Sequence, residues 1–112
     1  MTINRMLVVE DDAPVMCLLE KQFARHLCPE VDAVMGADAA IGMLAGEHYD
    51  LVVSDGLEGD CFRLRDHVAD FPDTEFVIYS SNPDVQDRAA GEGTPCYIKP
   101  DGWKDIVRHY GQ

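Results

Sequence analysis

Short apolar runs alternate with stretches whose apolar residues recur every three or four positions, and the alternation repeats five times along the chain. That pattern predicts βα units wound into a parallel sheet. The first strand is expected over about Arg5 to Val9. Pro14, whose fixed φ suits a first helical turn, opens a helix with an expected apolar face of Val15, Leu18, Leu19, Phe23 and Leu27, and Pro29 stops it. A second strand near Val31 to Val34 leads through Gly36 into a short helix, Ala37 to Ala45, with Ala40, Ile41 and Leu44 toward the sheet.

The run Leu51 to Ser54 is continuously apolar up to its last residue, as a central strand covered on both faces requires. Gly56 and Gly59 predict a mobile or tightly turned loop after it. A helix from about Cys61 to Ala69 buries Phe62, Leu64 or the Arg65 stem, and Val68. Phe76 to Tyr79 is the fourth strand, about Asp84 to Ala90 a short helix, Cys96 to Ile98 the fifth strand and Trp103 to Tyr110 the last helix. Repeats, linkers and low-complexity segments are absent from the sequence, and 112 residues suffice for one domain, 1–112, with a single core.

Charge narrows the partners. With 21 acidic against 9 basic residues and a net charge of −12, the domain is repelled by nucleic-acid phosphates, so nucleic acid is not expected as a partner. The first apolar run is too short for a signal-peptide core or a membrane span, which makes a cytoplasmic protein with no membrane partner the expectation. Cys17, Cys28, Cys61 and Cys96 match no CxxC spacing and read as buried or partly buried free thiols. His26, His48, His67 and His109 are scattered and read as surface or boundary residues.

The chemistry collects at strand ends: Glu10 and Asp11 after the first, Asp55 after the third, Ser80 at the fourth, Lys99-Pro100 after the fifth. In an open α/β sheet that edge is the ligand-binding crevice. Carboxylates gathered there repel one another by roughly 4 kcal/mol per close pair at an effective dielectric near 20, so a counter-charge is needed. An oxygen-rich, water-accessible set suits Mg²⁺. A carboxylate nucleophile, a cation, a hydroxyl and an ammonium together form the parts of an aspartyl-phosphate site. Asp12 reads instead as the cap of the helix that Pro14 opens, and Ser81 as a cap or turn residue.

The ordered set Val8-Val9-Glu10-Asp11, Asp55, Ser80 and Lys99-Pro100 resembles the receiver domain of two-component response regulators over nearly the whole chain. The resemblance implies a flavodoxin-like α/β fold, a doubly wound five-stranded parallel sheet of order 2-1-3-4-5 with helices on both faces. It implies Asp55 as phosphoacceptor, Asp11 as a direct Mg²⁺ ligand, Glu10 as a ligand through water and the Leu57 backbone carbonyl as a further ligand. Ser80 would hydrogen-bond the phosphoryl group and Lys99 would pair with it. The implied partners are a sensor histidine kinase or phosphotransfer protein and a downstream protein, the implied state a monomer or weak homodimer, and the role that of a signalling domain, not an enzyme. As no output domain follows the last helix, output is expected through protein contacts or onward phosphoryl transfer.

The chain departs from the family pattern in places. The segment Asp55-Gly56-Leu57-Glu58-Gly59-Asp60 lacks the family's usual proline and is shortened, and Cys96 stands where many members carry an aromatic residue. Tyr97 is one position late, and in a strand that points it to the opposite face. These changes favour an alternative, a pseudo-receiver that binds proteins without being phosphorylated. A phosphohydrolase of the haloacid-dehalogenase type needs a second Asp two positions after the nucleophile, and that position is Leu57.

Overall fold

The structure, a computed structural model, describes residues 2–111. Its strands are β1 (Arg5–Val9), β2 (Glu30–Val34), β3 (Leu51–Ser54), β4 (Glu75–Ser80) and β5 (Cys96–Ile98). Its α-helices are α1 (Ala13–His26), α2 (Ala37–Gly46), α3 (Cys61–Val68), α4 (Pro83–Gly91) and α5 (Gly102–Tyr110), with one 3-10 turn at Leu57–Gly59. The five strands form one parallel sheet in the order β2-β1-β3-β4-β5, the expected doubly wound fold.

The alternation of side chains along the strands sorts the core into two faces. Met6 and Val8 of β1 with Leu51 and Val53 of β3 meet Leu19 and Phe23 of α1 and Ile106 of α5 on one side. Leu7, Val9 and Val52 meet Ala40, Leu44, Leu64 and Val68 on the other. A smaller third cluster, Cys61, Phe62, Ile78, Val85 and Ala89, joins α3 and α4 over β4, with Cys96 partly buried against it. Each fully buried aliphatic side chain contributes roughly 1.5–3 kcal/mol, so both faces of β1 and β3 are covered by apolar side chains and the strands form a rigid base for what lies beyond their ends.

Three expectations need correction. Leu18 is 49% exposed, because α1 meets the sheet along Val15, Leu19, Phe23 and Leu27, and a residue next to Leu19 lies 100° around the helix from it. Cys17 is exposed for the same reason, while the other thiols are buried or partly buried and all four are free. Asp12 caps α1 as expected, accepting from the Val15 N–H at 3.3 Å, whereas α4 is capped by Asn82 and not Ser81.

The edge opposite the strand C-termini holds a polar network that secures β1 to β2. Tyr49, 0% exposed, donates its hydroxyl to Asp32 Oδ2 at 2.6 Å, and the Arg5 guanidinium donates to the same oxygen at 2.9 Å. The Tyr49 hydrogen bond first, and Arg5 beside it, hold Asp32 below the usual carboxylate range against the opposing effect of burial. A group depressed in the fold stabilises above its unfolded pKa and loses that contribution as the pH falls. Tyr49→Phe is therefore expected to cost about 1.5–3 kcal/mol in urea unfolding at pH 7, with the difference shrinking below about pH 4 as Asp32 protonates.

Candidate functional site

The hydrogen-bond ladder runs one step past the strands and so fixes the backbone of the site. Glu10 N–H donates to Val34 O at 3.0 Å, Asp55 N–H to Val9 O at 2.7 Å and Lys99 N–H to Ser80 O at 3.2 Å. Each chemical residue is thus at a strand end, still tied to a neighbouring strand, with its side chain free to face the crevice.

One oxygen each from Glu10, Asp11 and Asp55 lies within 4.8 Å of the others. Lys99 Nζ bridges two of them, donating to Glu10 Oε1 at 2.9 Å and Asp55 Oδ1 at 2.6 Å. The second Asp55 oxygen accepts the Leu57 N–H at 3.0 Å. The Lys99 ammonium lies 5.5 Å from the Tyr79 ring centroid, and the Tyr79 hydroxyl donates to Pro100 O at 2.6 Å, which steadies the turn that carries the lysine. Ser80 Oγ accepts the Asn82 N–H at 3.0 Å and retains its own proton for donation.

Burial raises both inner carboxylates, and their hydrogen bonds drive them apart. Glu10, only 1% exposed, is pushed up to about 7 by burial, aided by the Asp55 charge and opposed by Lys99. Burial raises Asp55 too, but Lys99 and the Leu57 N–H outweigh it and hold Asp55 below the usual range. Burial lowers Lys99, and its two carboxylate partners more than reverse this. Asp55 is the ionised, partly buried member, suited to a nucleophile.

The donor set fits a hard divalent cation. Glu10 Oε2 is buried with no hydrogen-bond partner among the described residues, an arrangement that costs free energy unless a cation or a proton satisfies it. Asp11 is exposed, so waters can complete an octahedral shell. The Leu57 carbonyl accepts the Asp60 N–H at 3.0 Å and retains one lone pair. The loop is a tight turn: Leu57, Glu58 and Gly59 follow one another with φ of 50°, 54° and 95°. Two non-glycine residues in the left-handed region store about 1–3 kcal/mol each, held by the bonds that close the turn.

The structure thus brings Glu10, Asp11, Asp55 and Lys99 together at one edge, with Ser80 on the strand beside Lys99, and turns Asp12 to cap duty. Tyr79, Asn82 and Gln86 also brace this edge; Tyr79 and Gln86 do not stand out in the sequence, nor does Asn82 as a helix cap. Asn82 was recoverable, since Asn before Pro before an apolar repeat is a capping signal. With Asp11 in the acidic cluster and Asp12 on a helix cap, Asp11→Ala is expected to weaken Mg²⁺ about tenfold or more in a fluorescence or calorimetric titration, and Asp12→Ala about twofold or less. The reverse order would place the ligand one residue later.

The chain matches no protein-family model and no curated protein, and its likeness is to solved structures. A signal receiver domain of an HD domain-containing protein from Pseudomonas fluorescens Pf-5 is 20% identical with TM-score 0.80, over 96% of this chain and 93% of that one. The CheY-like receiver domain from Methylobacillus flagellatus is 20% identical with TM-score 0.79, over 97% of this chain and 99% of that one. The response regulator TrrA from Thermotoga maritima, solved in complex with Mg²⁺ and BeF, is 19% identical with TM-score 0.77, over 96% of this chain and 98% of that one. The fold is the flavodoxin-like receiver-domain fold of response regulators.

Proposed function

We propose that this chain is a phosphorylatable signalling domain of a two-component phosphorelay, with Asp55 as the phosphoacceptor. The observation that carries the reading is the convergence of the ionised Asp55 carboxylate with Glu10, Asp11 and Lys99 at one strand edge. Asp55 attacks the phosphorus of a phosphohistidine or small acyl phosphate in line. An O–P bond forms to the carboxylate while the P–N or P–O bond to the donor breaks, its electron pair leaving with the donor group. Lys99 passes from Asp55 Oδ1 to an oxygen of the arriving phosphoryl group, and the Ser80 hydroxyl donates to another. Glu10, Asp11, Asp55 and the free lone pair of the Leu57 carbonyl would hold Mg²⁺, which when bound neutralises charge on the transferring oxygens.

The donor is a sensor histidine kinase or phosphotransfer protein, and the output a contact with a downstream protein made by a cytoplasmic monomer or weak homodimer. No helix among the described residues is long and apolar enough to cross a membrane. A protein-binding domain without phosphorylation is the second reading, favoured by the Leu57–Glu58 turn, in which the Leu57 carbonyl already has an N–H partner. Incubation with acetyl phosphate and Mg²⁺ followed by intact-mass spectrometry separates the two.

The acyl phosphate is expected to persist for minutes or longer. The receiver-domain resemblance places Leu57 and Asn82, two positions after Asp55 and Ser80, beside the approach of a hydrolytic water; the Leu57 side chain has no polar atom to orient it, and Asn82 Oδ1 is engaged by the Asp84 N–H at 2.9 Å. Complete loss of label within seconds in purified protein would contradict this.

A further inference from the structure

Resting on the phosphoacceptor reading above, we propose that Gln86 is a positioning residue that couples the Asp55 site to α4, through its bond to the Ser80 carbonyl. That carbonyl receives two donors: the Lys99 backbone N–H from β5 at 3.2 Å and the Gln86 side-chain amide from α4 at 3.1 Å. Facing a carbonyl oxygen, only the amide nitrogen of glutamine can make this bond. The peptide that carries the Ser80 hydroxyl and is tied to the Lys99 backbone is thereby also strapped to the second turn of α4.

Two further contacts reach the same end of the helix. Ser80 Oγ accepts the N–H of Asn82, the α4 cap, at 3.0 Å. The Asp55 loop also lies against it, since a Cβ added to Gly56 would come within 3.1 Å of Ser80 Oγ and 3.2 Å of a Val85 methyl. Gly56 has ordinary right-handed φ and ψ, so close approach explains this glycine and backbone freedom does not.

The far end of α4 is held elsewhere. The Arg88 guanidinium lies 4.0 Å from the Phe62 ring centroid, and Glu92 bridges Arg88 at 2.8 Å and Arg65 at 2.6 Å. Arg65 in turn reaches Thr94 at 3.2 Å and lies 5.1 Å from the same Phe62 ring. Clamped to α3 at its C-terminal end and strapped to Ser80 near its start, α4 has a pivot and a handle. The groove between α4 and β5, about 310 Å³ and lined by Gln86, Ala90, Thr94, Cys96 and Ile98, leaves room for the handle to travel. The ring on β5, Tyr97, is committed to the opposite core beside Trp103 and Tyr110, so this side of the strand offers Cys96 and Ile98 but no ring to carry the signal. A shift of Ser80 toward a phosphoryl group draws its carbonyl with it, and Gln86 passes the displacement to α4.

The test uses Mg²⁺ with beryllofluoride as the phosphoryl mimic, fluorine NMR to register the adduct, and amide hydrogen exchange to read each helix. Gln86→Glu keeps the shape and removes the donor; Gln86→Ala removes the side chain. In wild type, the adduct is expected to change exchange across Pro83–Gly91 by about fivefold or more. In both variants, the adduct resonance is expected to persist while the α4 change falls below about twofold. An α4 response of wild-type size in Gln86→Glu, or a wild-type response confined to α5, overturns the inference and leaves Asp55 as phosphoacceptor intact. Absence of an adduct in wild type overturns the phosphoacceptor reading, and this inference with it.

Discussion

Glu10→Gln is expected to stabilise the metal-free protein at pH 8 by about 2–3 kcal/mol while weakening its affinity for Mg²⁺ about tenfold or more. Burial, then the Asp55 charge, raise Glu10 to about 7, so the folded protein holds a proton there that the unfolded chain has already released. Stability therefore falls as the pH rises from the ordinary glutamate range through about 7, and the wild type at pH 8 carries the full cost of a buried, half-satisfied carboxylate. Glutamine does not titrate, keeps an acceptor for Lys99 and adds a donor toward Asp55. The variant and wild type are expected to converge near pH 5, where Glu10 is protonated. At a fixed, sub-saturating concentration Mg²⁺ should raise the wild-type urea midpoint more than the variant's, because the charged form of Glu10 draws the cation and a neutral glutamine does not. A variant less stable than wild type at pH 8 would contradict the assignment of Glu10 as a carboxylate held at a cost.

Lys99→Ala is expected to have the opposite sign. It removes the ammonium 2.6 Å from Asp55 and 2.9 Å from Glu10 and leaves two carboxylates facing one another. Breaking a buried pair from one side costs about 3–5 kcal/mol, and the exposure of Asp55 reduces this to about 2–4 kcal/mol at pH 8 without metal. Lower pH and added Mg²⁺ should each restore part of the loss, the first by protonating Glu10 and the second by supplying the missing positive charge. The rate of phosphorylation by acetyl phosphate is expected to fall about a hundredfold, since a preorganised charge on the transferring oxygens is lost. Undiminished labelling of Lys99→Ala would remove the lysine from the chemistry.

Most of this frame is legible in the sequence. Strands β1, β3 and β5 have the bounds their apolar runs indicate, because each run ends one residue before the first charged side chain, Glu10, Asp55 or Lys99, at the C-terminal edge of the sheet. The five helices start and end within a residue or two of their prolines, glycines and caps. The acidic set was legible for the same reason, as parallel strands deliver their C-terminal residues to one edge. Less legible was anything set by packing angle. Leu18 and Leu19 are equally apolar, and only the direction from which α1 meets the sheet decides which is covered. The left-handed run at Leu57 and Glu58 leaves no signature in residue type, because it is imposed by closing a short loop between β3 and α3. Gln86 looks like any surface residue of a helix until the Ser80 carbonyl is seen facing it.

The most direct test of the phosphoacceptor assignment is intact-mass spectrometry of wild type and Asp55→Asn after incubation with acetyl phosphate, with and without Mg²⁺. A single phosphate on wild type, dependent on Mg²⁺ and absent from Asp55→Asn, is the predicted result. Equal labelling of Asp55→Asn, or no labelling of wild type under any condition, would contradict it.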